Sequence, residues 1–337
     1  MENSSDIANH TDEIAVERLE KQRLFTDFLY VPIGLSLLTC NGILVATIVR
    51  YKALRQMKEY MPVAGLAFAD AISGFATAFA GSWRLVFRAL GALNRPVSRR
   101  FCILTPHIFV WNISDVLQCF MMLAVSVDRL FVVIVPVRYI GWDMAYGLML
   151  VGSVYVGTAL QALFFLVTTI PYDEADKIAE CHTSDAFLRD HHAVRKTFRL
   201  MGAMGSILVY VAVILSYKKR ITAADGSVHP AKLKFQRQLV KTTGISSLCT
   251  FLFYGVPQLM SLGALYSDGL DSIFSLINSW MWVISNLNPL ANLFIYARRM
   301  TDIRVGVKAL LHCKTMPDNK DLWGQTFSTN RVTPAHR

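Results

Sequence analysis

Reactive and ionisable side chains in this chain are few and oddly placed. Asp70 stands in LAFADAISG and Asp115 in WNISDVL, each inside a long apolar run. Asp128 and Arg129 form an adjacent acid–base pair at the far end of the run that holds Asp115. No His/Cys/Asp/Glu group has metal-ligand spacing, and no phosphate-cradling glycine loop or nucleophile elbow occurs. An enzyme is therefore not expected, and no cofactor is implied. A charge inside an apolar segment is costly and marks a functional position by default. The amides are similar: Asn41 lies in LTCNGILVATIV, and Asn286, Asn288 and Asn292 lie in WVISNLNPLANLFIY. The spacing of Asn288 and Asn292 puts both on one helix face, and Pro289 between them removes a backbone hydrogen bond and favours a kink. These amides either join helices by hydrogen bonds of about 1 kcal/mol or less, or form a polar cluster that rearranges between two states. The amides alone leave both open.

The elements that must position these residues follow from composition. The chain has 337 residues, 53% apolar and 17% charged, and its mean hydropathy is +0.38. Soluble domains carry about 25% charged residues. Seven apolar segments fall at 28–49, 61–82, 103–131, 144–168, 198–217, 239–265 and 273–297, each near the roughly 20 residues that cross a bilayer as a helix. The net charge of +10 would suggest nucleic acid in a soluble protein. Here its distribution says otherwise. With the N-terminus outside, the inner pieces hold 21 Lys and Arg and the outer pieces 13, which fits the positive-inside rule. Nucleic acid is thus not an expected partner. The sequons at Asn3 and Asn9 agree with an outer N-terminus, and residues 1–27 are too polar for a cleaved leader. The expected organisation is an outer tail at 1–27, a membrane domain at 28–297, and an amphipathic helix with an inner tail at 298–337. The expected fold is an all-α seven-helix membrane bundle with a short eighth helix, multi-pass in the plasma membrane. An odd number of spans without repeat symmetry suits a receptor better than a transporter.

The segment AVSVDRLFVVIVPVRY, with Pro136 eight residues after Asp128 and Tyr139 three after that, resembles the third-helix end of the rhodopsin-like G-protein-coupled receptors. The resemblance covers residues 28–313. Asp128-Arg129-Leu130 matches the Asp-Arg-Tyr signature. Asn41 matches the first-helix Asn, Asp70 the second-helix Asp, Pro257 the sixth-helix kink, and Asn292 with Tyr296 the seventh-helix motif. Cys313 falls where such receptors carry a palmitoylated Cys. The departures are specific. Leu293 stands at the motif Pro, and Gly255 stands at the sixth-helix Trp, which leaves Phe251, Phe253 or Tyr254 as aromatic switches. Arg237 stands where an acid could lock Arg129. These divergences are similar to the nematode serpentine chemoreceptors of the SX class.

The resemblance implies a receptor that senses an extracellular ligand and activates a heterotrimeric G protein. A chemosensory small molecule is the first expectation, with a sensory cilium as one location. A neuropeptide-type receptor of the same fold is the alternative, and a transporter or channel a more distant one. Arg129 would be held by Asp128 at rest and reach toward Tyr296 and Tyr210 once the sixth helix swings about Pro257. Asn41, Asp70, Asn288 and Asn292 resemble the family's sodium site, but Gln118 stands at its small hydroxyl position, which leaves sodium at Asp70 a weak expectation. Cys102 and Cys181 are the pair in an oxidising compartment and should bridge the third helix to the second outer loop. For the ligand, Trp111, Asn112, Asp115, Tyr254, Trp280 and Met281 are the candidate lining, with Asp115 as counter-ion for a cationic group. His191-His192 reads as a solvated loop edge. An opsin is excluded, because 273–297 holds no Lys for a retinal Schiff base.

Overall fold

The computed structural model describes residues 3–223, 242, 244–266 and 271–316. Side chains are described for all of these except 3–19, 220–223, 261, 262, 264–266, 271–279, 282 and 293. The side chains of Asn3, Asn9 and Leu293, and the whole of Arg237, lie outside the described residues.

The long helices are α1 (Asn3–Arg50), α2 (Met61–Ala89), α3 (Pro106–Ile134), α4 (Met144–Thr169) and α5 (Arg189–Ala223). The sixth, α6, is an apolar stretch, Gly244–Met260, with one π-helical turn at Phe251–Gly255, continuing through Val256–Tyr266. Then come α7 (Asp271–Arg299) and α8 (Thr301–Leu311). Five stretches among the described residues are long and apolar enough to cross a membrane: Glu20–Arg50, Lys58–Ala89, Pro106–Ile134, Met144–Thr169 and Arg189–Lys219.

Local sequence sets several boundaries. Pro62 and Pro106 sit in the first turns of α2 and α3, where a missing N–H is harmless. Asp143 caps α4 by accepting from the Ala145 N–H at 3.1 Å. The helices begin and end outside the apolar runs where polar residues find partners. Residues 20–27, assigned above to the tail, continue α1, and Asp27 is buried between Arg84 at 3.2 Å and Arg88 at 3.2 Å. Likewise α5 starts well before residue 198, because Arg195 and Arg199 meet Asp115.

Helix α3 is central and packs on α2, α4 and α5. Helix α4 presents Leu148, Met149, Val156, Leu160, Phe164 and Val167 outward and buries Gly147, Thr158 and Ala162. That reverses the soluble pattern and fits hydrocarbon as the surrounding solvent. At one end of the bundle α8 packs Ile303 on a cluster of Leu44, Ile48, Leu54, Tyr60 and Tyr296. At the opposite end strand β1 (Pro96–Val97) pairs antiparallel with β2 (Lys177–Ile178), Pro96 opposite Ile178.

Beside this ribbon Cys102 and Cys181 are joined by a disulfide across 79 residues of sequence. A native disulfide closing a long loop typically contributes about 2–5 kcal/mol. Reduction of the purified protein, or Cys181→Ser, is expected to lower its thermal midpoint by several degrees. A midpoint unmoved by reductant would show that the helices alone hold the segment around Cys181.

Candidate functional site

Near the C-terminal end of α3, Arg129 is 1% exposed and Asp128 is fully buried. Their side chains lie 3.4 Å apart. The Tyr139 hydroxyl donates to Asp128 at 3.0 Å, and Arg129 donates to the Glu59 carbonyl at 3.1 Å. Tyr139 is itself fixed, because the Lys58 ammonium lies 4.4 Å over its ring and donates to the Tyr139 carbonyl. The segments that follow α1 and α3 therefore pin the pair from both sides. Among the described residues Asp128 is the one carboxylate on Arg129. Tyr210 packs with Val133 and Val213 and leaves room only for a glycine opposite: a Cβ at Gly244 would overlap the Tyr210 hydroxyl. Tyr296 is buried in the α8 cluster.

The polar core divides into two. Gln118 donates to Asp70 at 2.8 Å, so an amide occupies the carboxylate face where the resemblance allowed sodium. Asn288 and Asn292 instead face α6: Thr250 donates to Asn288 at 3.1 Å, and Ser246 donates to Asn292. Asn41 donates to its own helix at Leu37, 3.0 Å away. No hydrogen bond joins Asp70 to the three asparagines among the described residues. Gln118 is long enough to satisfy Asp70 alone, and α6 supplies hydroxyls the sequence reading did not pair.

The candidate ligand residues do not converge on one point. Trp111 packs edge-on against Tyr30 at 6.2 Å and donates to Thr77 at 3.4 Å. Asn112 reaches the Ala162 carbonyl of α4 at 3.4 Å. Trp280 is 46% exposed and lies 6.2 Å from Phe25. Met281 is half-buried, its carbonyl taken by Ser285 at 2.8 Å. Asp115 and Tyr254 are brought together by two residues not singled out from sequence. Arg195 and Arg199 reach Asp115 Oδ2 at 3.3 and 3.0 Å, and Arg199 Nε donates to the Tyr254 hydroxyl at 2.7 Å. Asp115 thus already has two counter-ions, which disfavours it as the docking point for a cationic ligand. The signal was present: Arg195 and Arg199 are four residues apart, and Arg199 falls inside the apolar run at 198–217. His191 lies in the first turn of α5, partly exposed, with its ring stacked on Phe165 at 4.8 Å.

A further ionic group lies at the disulfide end of the bundle. His182 lies with Nε2 3.0 Å from Glu180 and Nδ1 3.2 Å from Arg84. A guanidinium can only donate, so Nδ1 accepts and Nε2 carries the proton that Glu180 receives. Burial opposes the charged form of Glu180, but His182, Arg84 and Arg23 outweigh it and hold the carboxyl down at about 2, from an ordinary 4.5. A depressed carboxyl contributes stability that is full above its unfolded pKa and lost as pH falls through the folded one. The protein is therefore expected to lose stability between pH 4.5 and about 2, and Glu180→Gln to flatten that acid limb in a thermal unfolding series. An acid limb identical in the variant would remove Glu180 from the account.

The match with known proteins is consistent with this architecture. No curated protein matches the chain. The family model for the serpentine type 7TM GPCR chemoreceptor Srsx matches residues 34–311, from the first helix to the last residue of α8. A multi-pass helical bundle with an ionic pair at the C-terminal end of its central helix, matched over most of its length, belongs to the serpentine seven-transmembrane GPCR chemoreceptor family Srsx.

Proposed function

We propose that this receptor senses a small extracellular molecule in the outer half of its bundle and activates a heterotrimeric G protein at the inner end. The observation that carries the reading is the buried Asp128–Arg129 pair, pinned by Tyr139 and the Glu59 carbonyl. A buried ion pair is weak evidence for stability, but one held by loops that can move is suited to a two-state switch. In the resting state Asp128 retains Arg129. Outward movement of the inner part of α6, pivoting at the π turn and Pro257, opens a groove in which Arg129, Tyr210 and Tyr296 meet a partner helix. π turns are common at functional sites.

The N-terminus faces outward, with 1–27 as the outer segment, 28–297 as the receptor domain and 298–337 inside. Asn3 and Asn9 are glycan acceptors in this topology. Cys313, exposed directly after α8, is a palmitoylation point, and the plasma membrane of a sensory cilium is the location this reading favours. The test is nucleotide exchange on a panel of G proteins by receptor-containing membranes exposed to fractionated small molecules. Exchange that exceeds receptor-free membranes supports the reading. Exchange absent across every G-protein class, with correctly folded receptor at the surface, would sink it.

A further inference from the structure

We propose that the outer half of the bundle is an anion site, and that the ligand is a small organic monocarboxylate docking on Arg195 and Arg199. The inference rests on the receptor reading above and names the chemistry of its ligand.

Two guanidinium groups share one carboxylate oxygen, Oδ2 of Asp115. Among the described residues no other carboxylate pairs with either arginine, so the group carries one uncompensated positive charge. Such an excess at membrane depth is costly unless something balances it. Arg195 is 1% exposed, and its Nε is buried without a hydrogen-bond partner. One turn earlier the buried Nδ1 of His192 also has none. Both point to a group that completes the site.

A monocarboxylate balances the one positive charge that Asp115 leaves on the two arginines, and the Lys196 ammonium, which also acts on both of them, adds to the pull on an anion. Planar guanidinium forks suit a carboxylate, which accepts two parallel hydrogen bonds. The Phe187 ring, 5.1 Å from the Arg195 guanidinium, and the Tyr254 ring, 5.4 Å from that of Arg199, offer apolar surface to the rest of the molecule.

The site is also connected to the moving part. Arg199 holds the hydroxyl of Tyr254, which lies in the π turn of α6. A carboxylate that draws Arg199 toward itself loosens that bond, so it binds the rearranged state better. That differential affinity is what a ligand needs in order to shift an equilibrium.

The test uses the full-length receptor in zwitterionic nanodiscs, followed by thermal unfolding. The probes are straight-chain and aromatic monocarboxylates at millimolar concentration, each beside its matching primary amine and alcohol. At least one carboxylate is expected to raise the midpoint where its amine and alcohol do not. Arg195→Gln and Arg199→Gln should each weaken that binding by about tenfold or more, and Asp115→Asn, which removes the competing carboxylate, should strengthen it by about tenfold. If Arg195→Gln does not fold, Arg195→Lys keeps the charge, loses the fork, and should bind several-fold more weakly. The proposal is overturned if no carboxylate raises the midpoint, if the amines do so instead, or if Asp115→Asn weakens carboxylate binding. Carboxylate binding with no nucleotide exchange on any G protein would sink the signalling reading and leave this one standing. Exchange evoked by an amine alone would do the reverse.

Discussion

Receptor carrying Arg129→Ala, expressed at the surface to the level of the unaltered chain, is expected to lose ligand-stimulated nucleotide exchange to background. Ligand binding in the outer half should persist. The argument is geometric. Arg129 is, with Arg195, one of the two arginines among the fully buried side chains described, yet its contacts are polar and local: Asp128 at 3.4 Å and the Glu59 carbonyl at 3.1 Å. Alanine removes the one group able to leave that nest and engage a docked partner. The complementary variant separates switching from folding. Asp128→Asn keeps the shape and the contact with Tyr139 but removes the charge that retains Arg129. Coupling of this kind is typically about 1–3 kcal/mol, so ligand-free exchange should rise by about 5-fold to 150-fold. Tyr139→Phe, which loses one hydrogen bond to Asp128, should raise it less. Unchanged stimulated exchange in Arg129→Ala would remove Arg129 from the mechanism.

The sequence made the frame of this switch legible, and for an identifiable reason. Asp128, Arg129, Pro136 and Tyr139 lie within one helix and the turn after it, so local spacing carries the information, and the structure brings the Tyr139 hydroxyl onto Asp128. The apolar runs were equally plain, because a bilayer imposes length and composition on each helix separately. What was not legible depends on which helix meets which. Gln118 and Asp70 are 48 residues apart, and Thr250 and Asn288 are 38 apart. Their pairings follow from helix rotation and depth, which no single segment encodes. The outer arginines are the clearest case. By position Arg195 counts as a loop charge and Arg199 stands at the edge of an apolar run, and only the docking of α5 on α3 turns them into partners of Asp115. The π turn at Phe251–Gly255 was hidden for another reason: it inserts one residue into a helix without any Pro or Gly at its start.

The largest expected effect on folding comes from the close packing of two helices. Gly74→Val should abolish assembly of α1 on α2, so that little receptor reaches the surface. At Gly74 a Cβ would stand 2.6 Å from the Leu38 backbone nitrogen and 2.8 Å from the Gly34 carbonyl oxygen. At Gly34 it would stand 2.6 Å from the Gly74 carbonyl oxygen, and at Gly81 2.7 Å from that of Asp27. These obstacles are backbone atoms, which cannot turn aside as a side chain does, so the two helices would have to separate. In a bilayer there is no hydrophobic drive between helices, and association depends on close packing of small residues. Overpacking typically costs about 1–3 kcal/mol and sometimes more, and a backbone clash belongs at the upper end of that range. Separation also pulls Asp27 from Arg84 and Arg88, which strands charges in a buried place. The comparison is Gly152→Ala and Gly157→Ala on α4, where a Cβ meets nothing within 4 Å. Those variants should be neutral or gain up to about 1 kcal/mol from reduced backbone freedom. Surface expression and the thermal midpoint read all of them. Normal expression of Gly74→Val would mean that α1 and α2 do not rely on this contact.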